Sequence, residues 1–91
     1  MNATIDENFT AAADILIYPN PFNDAASISY SEIEKAQSIS IYNSAGILVE
    51  FYDDKKNFRN NMVVGSTLPT GIYIFKIGLE DDVRTFRIIK N

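Results

Sequence analysis

Leu68-Pro69-Thr70-Gly71-Ile72-Tyr73-Ile74-Phe75-Lys76-Ile77, followed at the end of the chain by Arg87-Ile88-Ile89-Lys90-Asn91, is the stretch that decides how this sequence folds. It reads as a turn feeding a closing hairpin. Pro69 presets φ near about −65° and Gly71 suits the fourth turn position, so residues 68–71 are expected to form a type I turn before a strand. Side chains alternate along a strand with a period of two, which puts Tyr73, Phe75, Ile77 and Leu79 on one face, the expected core face. Ile72 and Ile74 fall on the other face, where they meet a cover or form an exposed apolar patch of the kind that marks an interaction site. Glu80-Asp81-Asp82 then reverses the chain, and Val83 to Lys90 returns as the last strand.

Outward from this hairpin the same period continues. Gln37-Ser38-Ile39-Ser40-Ile41-Tyr42 alternates with Ile39 and Ile41 inward, and Asn43-Ser44-Ala45-Gly46 supplies a hairpin turn in which Gly46 takes a positive φ. The returning segment has two faces, Ile47, Val49 and Phe51 against Leu48, Glu50 and Tyr52, and the first set is expected in the core. Upstream, Ile15-Leu16-Ile17-Tyr18 is stopped by Pro19-Asn20-Pro21-Phe22. Neither proline can donate to a ladder, so this corner belongs at a strand end or sheet edge. Ser27-Ile28-Ser29-Tyr30 is a further strand, and residues 32–36 make a connection too short for a stable helix. Met62-Val63-Val64 is a short strand before the turn. The spacing predicts seven strands, at 15–18, 27–30, 37–43, 47–52, 61–65, 71–79 and 83–90. The fold class is therefore all-β, a seven-stranded antiparallel immunoglobulin-like β-sandwich. Tyr73, Phe75, Ile77, Ile39, Ile41, Ile28, Val49, Phe86 and Ile88 are the expected core.

Composition bounds the function. The chain has 91 residues with 46% hydrophobic content, enough for one compact domain and too few for two. Residues 15–91 form that domain; residues 1–14 lack a sustained period and read as a linker or flexible arm. Asn2-Ala3-Thr4 and Asn8-Phe9-Thr10 fit the glycosylation sequon, a pattern short enough to arise by chance. With no Cys and no His, disulfide, thiolate, zinc and haem chemistry and His-based catalytic arrangements have no residues to build on. A net charge of −4 argues against nucleic acid, whose phosphates call for clustered Lys and Arg. No apolar run reaches the roughly 18 residues of a membrane span, and no signal peptide opens the chain. The carboxylates of Asp53-Asp54, Glu80-Asp81-Asp82 and Glu32/Glu34 sit in turns without a base or nucleophile at a recognisable spacing, which points away from an enzyme. Asp53 and Asp54 beside two lysines also fall short of the six to eight oxygens calcium takes, so no metal and no cofactor is implied. Most aromatic residues fall on faces the sandwich must bury, Tyr42 and Tyr52 excepted.

Four motifs in order, Ile17-Tyr18-Pro19-Asn20-Pro21, Ile41-Tyr42-Asn43-Ser44-Ala45-Gly46, Leu68-Pro69-Thr70-Gly71-Ile72-Tyr73 and Arg87-Ile88-Ile89-Lys90, resemble the C-terminal sorting domain of the type IX secretion system of Bacteroidetes. The resemblance covers residues 15–91. It implies a seven-stranded sandwich at the end of a longer exported protein. The attached N-terminal cargo would cross the inner membrane by a signal peptide and the outer membrane through the type IX translocon and its shuttle. A sortase-like peptidase would then usually remove the domain, leaving cargo at the cell surface or outside the cell. Pro19, Asn20, Pro21, Gly46, Gly71, Tyr73, Arg87 and Lys90 occupy the matching motif positions. Arg87 stands where a lysine is common, and Gly65 where an apolar strand residue is, which suggests a bulge. Arg84, Arg87 and Lys90 are expected to project at least partly from the sandwich and, with the strand edge and the Asn91 carboxylate, to offer a readable surface. The Tyr18-to-Asn23 opening and the Gly-x-Tyr hairpin also occur in an immunoglobulin-like domain of flagellar hook-capping proteins and in accessory sandwiches of secreted hydrolases. A spacer or assembly module and a carbohydrate-binding module therefore stand as alternatives.

Overall fold

Seven strands form where the period-two pattern puts them: β1 (Ile15–Tyr18), β2 (Ala26–Tyr30), β3 (Ala36–Asn43), β4 (Leu48–Tyr52), β5 (Met62–Val64), β6 (Gly71–Leu79) and β7 (Val83–Lys90). This is a computed structural model, and it describes residues 15–91. The arm expected over 1–14, with the sequons at Asn2 and Asn8, lies outside the described residues. The strands assemble into two antiparallel sheets, β1-β2-β5 and β4-β3-β6-β7, consistent with an immunoglobulin-like sandwich. The connection at 32–36 contains only a short 3-10 turn, Ile33–Lys35, in keeping with its length.

The inward faces meet as expected from alternation. Ile17, Ile28 and Val64 of one sheet pack with Ile39, Ile41, Tyr73, Phe75, Ile77 and Ile88 of the other, and Phe22 and Leu68 plug the core from loops. Phe86 and Leu79 are half-buried at its margin. The Glu80-Asp81-Asp82 reversal forms, closed by the Leu79 N–H donating to Asp82 O at 2.7 Å. At the other hairpin Gly46 has φ +81°, and the Asn43 side-chain oxygen accepts from the N–H groups of Ala45 and Ile47 at 2.9 and 3.0 Å.

Strand β4 is inverted relative to the sequence expectation. Ile47, Val49 and Phe51, assigned to the core, are 60%, 40% and 53% exposed. Strand β3 decides the matter: Ile39 and Ile41 are buried, and their partners across the ladder are Tyr52 and Glu50, which must share the inward face. Phe51 lies opposite Ser40 and faces out. Between Ile41 and Tyr42 the register shifts from Glu50 to Leu48, a bulge that leaves Val49 without an opposite number and places Leu48 beside outward-facing Tyr42. Tyr52, expected to be an exposed aromatic, is consequently half-buried and packs against the core.

The turn before β6 also differs from expectation. The hydrogen-bonded reversal is at 65–68, where the Leu68 N–H donates to Gly65 O at 3.2 Å, and Gly65 has φ +80°. Residues 68–71 form no corresponding bond among the described residues; Gly71 already belongs to the ladder, paired with Lys90. The Tyr73 hydroxyl donates to Pro69 O at 2.6 Å and fixes this loop instead.

Two phenylalanines of the four-stranded sheet, on strands either side of β3, should respond differently to truncation. Phe75→Ala removes a fully buried ring and is expected to cost about 3–5 kcal/mol. Phe51→Ala should stay within about 0.5 kcal/mol, as for an exposed side chain. Urea denaturation of the two variants measures both.

Candidate functional site at the end of the last strand

Within β7 the alternation puts Arg84, Phe86, Ile88 and Lys90 on the inward side and Thr85, Arg87 and Ile89 on the outward side. The three cations expected to project together are thereby separated. Arg87 is exposed and Arg84 half-buried, but Lys90 is only 7% exposed. A buried ammonium is costly unless its donors are satisfied. Lys90 Nζ has three, and donates to the carbonyl oxygens of Asp24 at 3.0 Å, Gly65 at 3.3 Å and Ser66 at 3.4 Å. It also lies 5.1 Å from the centroid of the buried Phe22 ring, within cation–π range. No carboxylate of the described residues is within ion-pair distance of it. Lys90 therefore ties the end of the last strand to the loop after β1 and to the loop after β5, and corrects the expectation of an exposed basic terminus.

Gly65 shapes this socket. A Cβ there would stand 3.2 Å from Leu68 Cδ1 and 3.3 Å from Phe22 Cζ, on a backbone whose φ already excludes most side chains. What the sequence suggested as a bulge is a turn glycine whose carbonyl faces Lys90. Gly71, singled out from the sequence, has an ordinary φ, and a Cβ there would meet only the Tyr73 ring at 3.8 Å. Its need for glycine is weaker than expected.

The Pro19-Asn20-Pro21 corner performs a second task on the same strand. Both X–Pro bonds are cis, and both prolines are exposed. Strand β7 is the edge of its sheet. The Asn20 side chain lies along that edge, donating through Nδ2 to Arg87 O at 3.1 Å and accepting from the Ile89 N–H through Oδ1 at 2.9 Å. A single amide thus satisfies one donor and one acceptor of the edge, as a neighbouring strand would. Phe22 continues the cover: its N–H donates to Ile89 O and its carbonyl accepts from the Asn91 N–H, each at 2.9 Å, forming a parallel bridge with Lys90. Asn91 Nδ2 also donates to Asn23 Oδ1 at 3.2 Å. The expectation that the corner sits at a strand end and sheet edge holds, and the edge it occupies is that of the last strand, nearly seventy residues away.

Of the sequence-selected residues, Asn20, Pro19, Pro21, Arg87 and Lys90 are brought together. Gly71 and Tyr73 stand one strand over, Gly71 opposite Lys90 and Tyr73 opposite Ile88. Gly46 is at the remote hairpin. Phe22 and Gly65 were not selected. The available signals were the parity of Lys90 with Ile88, which marks it inward, and the apolar Phe22 immediately after a proline corner.

Elsewhere in the sandwich, the Tyr52 hydroxyl donates to Glu50 Oε1 at 2.5 Å, and Thr67 Oγ1 donates to Glu50 Oε2 at 3.4 Å. Burial, the hydrogen bond to Glu50 and its negative charge push the Tyr52 phenol up to about 12 from 10.0. No group of three or more metal-ligating side chains converges among the described residues.

Lys90→Met should lower stability by about 1–3 kcal/mol, because buried carbonyls lose their donor. Gly65→Ala should cost about 1–3 kcal/mol and Gly71→Ala under about 1 kcal/mol, read as the difference in denaturation midpoint. Tyr52 holds its proton more tightly folded than unfolded, so its contribution is complete below pH 10 and is lost as pH rises through about 12. Absorbance titration at alkaline pH should show a late phenol step that moves to lower pH in Glu50→Gln.

Residues 16–91 match the family model described as the secretion system C-terminal sorting domain. No curated protein matches the chain. The matched region runs from β1 to Asn91 and so includes the corner, the Lys90 socket and the whole of β7. The match does not favour the spacer, hook-capping or carbohydrate-binding alternatives. Domains of this kind work with the type IX secretion system on attached cargo and serve export across the outer membrane. The chain belongs to the family of secretion system C-terminal sorting domains, the C-terminal signals for type IX secretion.

Proposed function

We propose that residues 15–91 act as a folded address, a non-catalytic domain whose last strand is presented in fixed form to the secretion machinery, with residues 1–14 as the linker to cargo. The observation that carries this reading is the double fastening of the chain end, by Lys90 in its carbonyl socket and by Asn20 and Phe22 along the edge of β7. A receptor that reads a strand held in one conformation does not bear the entropic cost of ordering it. The sequence-selected residues divide by task. Lys90, Asn20, Tyr73 and Gly46 set the shape, Pro19 and Pro21 stiffen the corner, Gly71 pairs with Lys90, and exposed Arg87 is available for contact.

In this reading the domain engages the translocon and its shuttle from the periplasm. A sortase-like peptidase then separates it from the cargo at the cell surface, and the domain requires no cofactor of its own. A reporter carrying an inner-membrane signal peptide and residues 1–91 at its C-terminus, produced in a type IX-competent cell, should appear outside the outer membrane. The same reporter without residues 15–91 should remain in the periplasm. Asn20→Ala removes two edge hydrogen bonds at about 0.5–1.5 kcal/mol each. It should slow export more than Pro69→Ala, a loop change outside the fastening, with melting temperature measured for each. Equal periplasmic retention of reporters with and without the domain would refute the sorting role.

A further inference from the structure

The outer face of the four-stranded sheet is apolar and cationic, on a chain whose net charge is −4. Ladder pairing puts Ile72 beside Ile89 and Ile74 between Tyr42 and Arg87, with Lys76 in the next row. Ile72 is 41% exposed; Ile74, Ile89 and Tyr42 are half-buried. Tyr42, Ile72, Ile74 and Lys76 line a groove of about 470 Å³ that runs to the Asn43–Gly46 hairpin. Lys76 Nζ lies 5.2 Å from the Tyr42 ring centroid, which holds the charge over the groove. Of the two outward possibilities for Ile72 and Ile74, the exposed apolar patch is the one realised.

Among the described residues, strand parity places no carboxylate on this face. Along its four strands the outward positions are apolar, hydroxyl-bearing or glycine apart from Lys76, Arg87 and the exposed bulge residue Gln37, and the described acidic residues sit in connections or, for Glu50, face inward. That separation of charge selects the occupant. A second copy does not fit, because two such faces would oppose Lys76 and Arg87 with the same cations. An anionic lipid surface is a poor match as well, since two cations fall short of the four to eight that hold a segment to it. We propose that this face, with Ile72, Ile74 and Ile89 as its apolar floor and Lys76 and Arg87 as its charged flank, is the docking surface for an acidic, apolar segment of a partner protein of the export machinery. The inference rests on the sorting role proposed above and adds to it the surface that is read.

The reporter described above tests it with matched charge reversals. Lys76→Glu with Arg87→Glu should reduce export at least about tenfold while leaving the melting temperature unchanged, as expected for interfacial charges on a folded domain. Lys55→Glu with Lys56→Glu makes the same change in net charge on an exposed turn that does not line the groove and should export normally. Should the face variant melt lower through loss of the Lys76–Tyr42 contact, Arg87→Glu alone decides the charge question. Ile72→Ser probes the apolar floor without a charge change and should also slow export. Normal export of Arg87→Glu and Ile72→Ser, or an equal loss in the Lys55/Lys56 variant, overturns the proposal. So does co-sedimentation of the wild-type chain with phosphatidylglycerol vesicles that the face variant loses, which would assign the surface to lipid. Failure of the wild-type domain to export the reporter at all overturns the sorting role itself, and the proposal with it.

Discussion

The ammonium of Lys90, buried against three backbone carbonyls and the ring of Phe22, is the contact on which the end of the sandwich depends. It joins three segments far apart in sequence: the last strand, the loop between β1 and β2, and the turn between β5 and β6. Because the acceptors are main-chain carbonyls, the fastening depends less on neighbouring side-chain identity than an ion pair would. It depends strongly on backbone shape, which is why the glycine at 65 matters. A side chain there would meet Phe22 and Leu68 and would have to adopt a strained φ while the carbonyl stayed aimed at Lys90.

The same region resolves a problem common to open sheets. An edge strand leaves a row of unpaired N–H and C=O groups that invites other chains to pair with it. On β7 the side-chain amide of Asn20 and the backbone of Phe22 take up the groups nearest the terminus. On β4, at the opposite edge of the sheet, the bulge at Val49 and the inward-facing Glu50 interrupt the flat, regular edge that pairing requires. β5 has only three residues, and β1 runs into two prolines. Among the described residues, all four sheet edges are thus short, bent, covered or charged, which disfavours pairing with a strand of another chain.

Motif residues that look alike in sequence have separate physical duties. Arg87 and Lys90 are both cations in the final strand, yet an odd spacing sends one to solvent and the other into the core margin. Gly65 and Gly71 flank one loop, yet only the first has a left-handed φ. Tyr73 belongs to both worlds: its ring packs in the core, and its hydroxyl holds the loop through Pro69 O. The position of each of these motif residues is inseparable from the fold that displays it.

The sequence by itself determined the strands, the two hairpin reversals, the core of β3 and β6, and the family. Those features rest on local chemistry: alternation along Ile39 to Ile41 and Tyr73 to Ile77, the positive φ that Gly46 supplies, and prolines that stop β1. It also contained the inward parity of Lys90, masked by the expectation that a lysine near a terminus is solvated. Only the tertiary structure decided which face of β4 is buried, because Ile47, Val49 and Phe51 are as apolar as a core face and the choice was made by the β3 register and a one-residue bulge. Only the tertiary structure paired Asn20 with the edge of β7 and brought Asp24, Gly65 and Ser66 around Lys90, since those contacts are set by how two sheets close over one another and no local pattern encodes a partner so distant in the chain.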